Sequence, residues 1–396
     1  MYGLVLGGGG SRGAYGAGAY EALRDLEITI SAVTGTSIGA INGAMIAQGE
    51  FEKMKEMWHT TDTSAFIDVE KDYLKQVEDG DITLENISYF INKGIEIVKN
   101  KGVSTAKMMK LLDDMIDEDK LRNSKINYGV VTVAVDKLDP VEISIDRMPK
   151  GTVKKYIMAS ASLPGFKSPA INGVKHVDGG VYDNLPINLM RNMGYNKVIA
   201  VNLGPMYRKR SMKGVILISP REDLGGILDF NPKRSAYRYE LGYYDTLRVF
   251  KNLKGQEYYI KSNLDKKYYR RLLLDISDSS LKKICKIHNV KDIPCERALY
   301  EVLIPRTIEI LNLDRDSSYE TVILAIYEEI AKYLKIDKFK VYDALEFMEL
   351  VKEKYAKVKK TRKESIFDFM KRKGFIMKHF KDEILQEIMD ILIEDK

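Results

Sequence analysis

Short, nearly unbroken apolar runs alternate with helical spacing through the first half of the chain. Residues 3–6, 32–34, 128–135, 141–145, 174–177, 197–203 and 215–218 read as strands. Residues 14–26 and 38–47 read as helices between them. Asp139-Pro140 between two β-branched runs predicts neighbouring strands joined by a turn. Strand–helix alternation with apolar strands predicts a mostly parallel sheet covered by helices. Residues 28–49 carry no charge, and Gly35, Gly39 and Gly43 repeat at four-residue steps. The Ser, Thr, Asn and Gln side chains among them favour a buried strand running into a buried helix over a membrane span.

Residues 51–125 are rich in charge and helical pattern, and read as an insertion or cap in the strand series. Beyond about residue 222 the strand signal fades. Apolar positions recur at three- and four-residue steps from Tyr319 to Leu334, from Val341 to Val358 and from Phe380 to Leu392. These predict amphipathic helices. They form either a helical subdomain packed on the sheet region or a face for a lipid surface. The expected division is a first domain over 1–205, an extension packing on it over 206–255, and a mainly helical region over 256–396.

Composition narrows the classes. The chain has 396 residues, 45% apolar and 30% charged, with only 10 Pro, which excludes a disordered or collagen-like chain. Two cysteines and four histidines argue against a disulfide scaffold or a multi-cysteine zinc module, and suit a reducing compartment. Met1 runs into an apolar stretch with no basic segment before it, which does not read as a signal peptide. Residues 1–204 carry 23 Lys and Arg against 26 Asp and Glu, whereas residues 205–396 carry 40 against 31. The positive excess of the second half is compatible with an anionic membrane surface, with nucleic acid, or with a solvated helical exterior. No motif supports nucleic acid.

Three motifs carry the chemistry. Gly7-Gly8-Gly9-Gly10-Ser11-Arg12-Gly13 lies between a predicted strand and helix, where glycine N–H groups and a helix N-terminus make an anion site. It contains the Gly8-x-Gly10-x-x-Gly13 spacing of a dinucleotide fingerprint, but no acidic residue ends the next strand and no Gly-Lys-Ser/Thr follows. Gly35-Thr36-Ser37-Ile38-Gly39, again between strand and helix, has the form of a nucleophile elbow. A serine nucleophile needs a base. His59, His288 and His379 lie in helical stretches, and His176 stands two residues before Asp178. Asp178, ending an apolar strand at Asp178-Gly179-Gly180, is the better candidate. A carboxylate is a weak base, but it serves where the site is dry and the oxyanion is stabilised.

Together the three motifs resemble the patatin-like phospholipase family. Gly8 to Gly13 match its Gly-Gly-Gly-x-Arg-Gly, Gly35 to Gly39 its Gly-x-Ser-x-Gly, and Asp178 to Gly180 its Asp-Gly-Gly/Ala. Residues 159–166, Asn184-Leu185-Pro186 and, more weakly, residues 238–248 are also similar to family segments. The resemblance covers about residues 1–205. It implies a three-layer α/β/α fold and a serine lipid acyl hydrolase cleaving phospholipids or lysophospholipids at a membrane surface. Ser37 would be the nucleophile, Asp178 the general base, and the N–H groups of Gly8, Gly9 and Gly10 the oxyanion hole. Arg12 would order the loop or meet an anionic headgroup, with Gly13, Gly35, Gly39, Gly179 and Gly180 supporting the turns. No metal or other cofactor is expected, and the expected location is cytoplasmic, peripheral at the membrane. A lipid-binding module without turnover, a nucleotide-binding protein and a histidine-based hydrolase are the competing readings.

Overall fold

The computed structural model describes residues 1–63, 104–137, 139–163, 166–167, 169–204, 212–287, 293–294, 297–361 and 390. The chain divides into two compact units, Met1–Val249 and Phe250–Lys396.

The first unit is built on an eight-stranded sheet: β1 (Tyr2–Leu6), β2 (Ile30–Thr36), β3 (Asn127–Ala134), β4 (Asp139–Ser144), β5 (Ala170–Ile171), β6 (Val174–Asp178), β7 (Val198–Val201) and β8 (Val215–Ile218). The core β3-β2-β1-β7-β8 is parallel throughout. β4 and β6 both run antiparallel to β3, and β5 is antiparallel to β6. The sheet is therefore mostly parallel, as expected, from β3 to the β8 edge, and the strand ending in Asp178 runs against it at the other side.

Helices cover both faces. α1 (Gly13–Asp25) and α2 (Ile38–Ala47) follow β1 and β2. Along β1 the side chains alternate in direction. Leu6 lies near Gly16 of α1, and Val33 of β2 near Gly43 of α2, whereas Gly3 meets Met190 on the other face. Val5, Ala32, Val198 and Ala200 bury that second face against Ile187 and Met190 of a short helix, Ile187–Asn192. The small residues of α1 and α2 permit this approach: Gly13 to Ala19 of α1, and all ten residues of α2, are buried. The uncharged stretch 28–49 is thus β2 followed by α2, as the polar residues within it require. No helix among the described residues is long and apolar enough to cross a membrane.

The pairing of β3 explains how the site forms. β4 occupies one edge of β3 from Gly129 to Ala134. On the other edge β2 pairs with Asn127 to Val131, and β6 takes over from Thr132 to Ala134. β2 and β6 thus approach each other end to end, with Thr36 opposite Val131 and Asp178 opposite Thr132. The residue after Thr36 is Ser37. Two residues 141 positions apart in sequence meet because two strands share one edge of a third.

Residues 51–125 are described only in part. They give helices Phe51–Thr60, Ala106–Met115 and Glu118–Arg122, and residues 64–103 of the expected insertion lie outside the described residues. Trp58 is buried, donates its indole N–H to Asn42 Oδ1 at 3.0 Å, and stacks on Phe230 with ring centroids 6.3 Å apart.

The second unit is mainly helical, as expected, with a two-stranded parallel ribbon of β9 (Tyr259–Lys261) and β10 (Val341–Asp343). Val341 to Asp343 were expected to open a helix. They extend beside β9 instead, and the helix begins at Ala344. The helix Tyr319–Tyr333 supplies Val322, Ile323, Ile326 and Ile330 to a core shared with Tyr258, Tyr269, Phe347 and Val351. The helix expected from Phe380 to Leu392 lies outside the described residues, as do His288 and His379.

Candidate active site

Ser37 sits on a strained turn. Its φ of 55° and ψ of −128° lie where L-residues rarely go, with β2 ending one residue before and α2 starting one residue after. The neighbouring positions admit only glycine: a Cβ on Gly35 would fall 2.2 Å from the Gly39 carbonyl oxygen, and one on Gly39 would fall 2.3 Å from that of Leu6. This packing draws the elbow onto the end of β1. The Ser37 N–H, which belongs to neither strand nor helix, donates to Ser160 Oγ at 2.9 Å.

Asp178 is buried at the end of β6. Its Oδ1 accepts the Gly180 N–H at 2.7 Å, while Oδ2 accepts no hydrogen bond among the described residues. Its own N–H donates to the Ser162 carbonyl at 2.8 Å. Burial pushes its pKa up to about 6, against the opposing pull of the Ser37 hydroxyl and the Gly180 N–H. The Ser37 hydroxyl pulls the pKa of this carboxyl down, while Oδ2 keeps its acceptor capacity among the described residues. Catalytic contacts commonly tighten only when substrate is bound.

The glycine loop lies against Ser37. A Cβ on Gly8 would come 3.1 Å from Ser37 Cβ and 2.4 Å from Asn184 Oδ1. Asn184 clamps Gly8 from both sides: its carbonyl accepts the Gly8 N–H at 3.1 Å and its Nδ2 donates to the Gly8 carbonyl at 3.1 Å. The Gly8 N–H is therefore committed, contrary to the expectation that it would face an oxyanion. Gly7 donates to Val201 and Ser11 to Ile227. Among the described residues, the N–H groups of Gly9 and Gly10 have no such partner. Gly10 adopts φ +54°, and a Cβ there would lie 2.0 Å from the Ile227 carbonyl oxygen.

A strap over residues 224–230 holds the loop from behind. Ser11 Oγ donates to Gly226 O at 2.8 Å, and Arg12 Nε to Gly225 O at 2.7 Å. Arg12 also reaches Leu203 O at 3.4 Å. Buried and occupied by carbonyls, Arg12 orders the loop and does not point at a headgroup. Burial lowers its pKa, partly offset by Asp223. Arg238, on the long helix Pro232–Lys251, donates to the carbonyls of Leu224 and Asp229 and to Ser11 Oγ. It also pairs with the Asp229 carboxylate at 3.3 Å.

The other predicted residues fall into place around this frame. Gly13 accepts the Asn42 Nδ2–H at 2.8 Å, tying α1 to α2. A Cβ on Gly179 would strike the Val131 carbonyl at 2.3 Å, so the turn after Asp178 lies flat on β3. His176 contacts the Val174 carbonyl through Nδ1 at 3.0 Å and has an edge contact with Tyr156. His59 lies on Lys55 O and Tyr239. Neither histidine contacts Ser37. No group of three or more His, Cys, Asp and Glu side chains among the described residues could hold a metal ion. The motif reading missed the tasks of Ser160, Asn184 and Arg238. Each stood in a family-like segment. The strap itself left no signal, because its bonds are made by main-chain carbonyls.

Comparison with known proteins agrees with the motifs. The family model for patatin-like phospholipase matches residues 4–191. The chain is 27% identical over 282 residues to a neuropathy target esterase of Drosophila melanogaster, covering 67% of this chain and 18% of that protein. It is 31% identical over 215 residues to a lysophospholipase of Aspergillus terreus, covering 51% of this chain and 12% of the relative. It thus spans less than a fifth of the length of these relatives. Among solved structures, VipD from Legionella pneumophila aligns over 100% of this chain and 91% of its own, at 15% identity and a TM-score of 0.38.

Proposed function

The chain belongs to the patatin-like phospholipase family through residues 4–191, and on that premise we propose that it is a serine lipid acyl hydrolase of the phospholipase A or lysophospholipase type. The observation that carries this reading is the end-to-end meeting of β2 and β6, which brings Ser37 to a buried carboxylate with an unmet oxygen.

Ser37 Oγ attacks the ester carbonyl and its proton passes to Asp178 Oδ2. The oxyanion that forms is held by the N–H groups of Gly9 and Gly10, with Gly8 shaping the loop instead of donating. The tetrahedral intermediate collapses, the C–O bond to the alcohol breaks, and the alcohol leaves with the proton from Asp178. Water then attacks the acyl–Ser37 ester, giving a proton to Asp178. Collapse releases the fatty acid and returns that proton to Ser37. Two loop donors, with Arg12 turned onto main-chain carbonyls, suit a carbonyl oxygen better than a nucleotide phosphate. Beside the base, Val181 and Tyr182 are 64% and 57% exposed. Apolar side chains there suit contact with a lipid surface, and the basic second half of the chain suits an anionic one.

A fluorophosphonate probe tests the assignment directly. It labels Ser37 in the folded wild-type chain and fails to label Ser37→Ala. Mixed phospholipid vesicles incubated with the protein release fatty acids and lysolipids detectable by mass spectrometry. Wild-type protein that neither labels nor releases fatty acid is the lipid-binding module without turnover.

A further inference from the structure

We propose that the last turn of the helix Val153–Ser160 is the spacer of the dyad, with Ser160 as its positioning residue; the inference rests on the Ser37–Asp178 reading. The two residues are held by one short piece of chain. Ser160 Oγ accepts the Ser37 N–H at 2.9 Å, and two residues later the Ser162 carbonyl accepts the Asp178 N–H at 2.8 Å. Both serines are fully buried.

The two hydroxyls behave differently. A serine at a helix end commonly bonds back to the preceding turn. Ser162 does so, donating to Met158 O at 2.7 Å. Ser160 instead reaches out of its helix to the elbow. The Ser37 N–H needs such a partner: it is buried, it is in a left-handed conformation, and it has no place in β2 or α2. The helix Val153–Ser160 packs against α2, β3 and the turn after Asp178, so the spacer is braced from both sides. β3 sets the approach of the two strands along one direction through Val131 and Thr132. The serine turn sets it from the side. A displacement of about 1 Å between hydroxyl and carboxyl is enough to cost on the order of 100-fold in rate.

The test uses the full chain with a soluble short-chain p-nitrophenyl ester, comparing wild type, Ser160→Ala and Ser160→Cys across pH. Ser160→Ala removes the acceptor. Ser160→Cys leaves a weak acceptor on a slightly larger side chain. The expected result is a kcat about 100-fold lower in Ser160→Ala, a smaller loss in Ser160→Cys, and KM within about twofold of wild type. The acid limb of the profile should also move upward, because a displaced Ser37 hydroxyl no longer lowers the pKa of Asp178. A kcat within twofold of wild type overturns the proposal, as does a loss of rate with the acid limb unmoved, which is what a merely structural role gives. If Ser160→Ala fails to fold, Ser160→Cys carries both readouts, and the same two results overturn the proposal. The dyad reading fails separately: an active Ser37→Ala sinks it, whereas an inactive Ser37→Ala beside an unaffected Ser160→Cys sinks only the spacer.

Discussion

Two buried carboxylates, one in each unit, are treated in opposite ways. Asp178 is 3% exposed and Glu328 is 2% exposed. Glu328, on the helix Tyr319–Tyr333, accepts the N–H groups of Gln256, Glu257 and Tyr258 at 2.8, 3.1 and 2.7 Å, pinning the turn that leads into β9. Asp178 receives one N–H, and its second oxygen receives nothing among the described residues. Burial alone therefore does not mark a reactive group. A carboxylate supplied with several donors is a structural clamp, and one with acceptor capacity left over can take up a proton.

The largest expected effect falls on chemistry. Asp178→Asn and Ser37→Ala should each lower ester hydrolysis by roughly 10⁴-fold or more with the fold retained, read as release of p-nitrophenol. Glu328→Gln should leave the rate per folded molecule near wild type. If it also abolishes turnover, the contrast between clamp and base is wrong.

Stability should respond the other way round. Replacing Glu328 by Gln sets an NH₂ group against N–H donors and should cost on the order of 3 kcal/mol by denaturant titration. Folding raises the Asp178 pKa from the ordinary carboxylate range to about 6, so it favours the protonated form. Stability contributed by this group is full below about pH 4, falls as the pH rises through 6, and is gone above it. Asp178→Asn should therefore stabilise the protein by ~3 kcal/mol at pH 8 and by little at pH 4. A destabilised Asp178→Asn at pH 8 would place Asp178 in the same class as Glu328.

Hydrolysis should also lose activity below about pH 6, as the base becomes protonated. An acid limb near pH 4 would mean that Asp178 is not the titrating base. The smallest expected effect is none: a chelator should leave the rate unchanged. A loss restored by calcium would turn the unmet oxygen of Asp178 into a metal ligand.

Much of this site was legible in the sequence because it is local. Ser37 with Gly35 and Gly39, and Asp178 with Gly179, are short turns whose glycines are required by contacts below 2.5 Å. The sheet centre was legible too, because strands buried on both faces are apolar without interruption. What could not be read is pairing. Nothing in residues 174–178 says that this strand runs against its neighbours, and nothing in Thr36 says that its strand stops where β6 begins. The commitment of the Gly8 N–H to Asn184 was likewise invisible, since it depends on two loops 176 residues apart. Val341 to Asp343 were misread as helix because three apolar-patterned residues fit either period, and their partner, β9, is itself only three residues long.

Trp58 gives these comparisons an optical handle. It is the only tryptophan in the chain, and it lies in the first unit against Phe230, at the end of the strap. Red-edge excitation of the indole therefore reports the unfolding of the sheet-bearing unit alone, while the tyrosine-rich second unit stays dark to it. Native fluorescence can then separate damage at Asp178 from damage at Glu328 in one unlabelled protein.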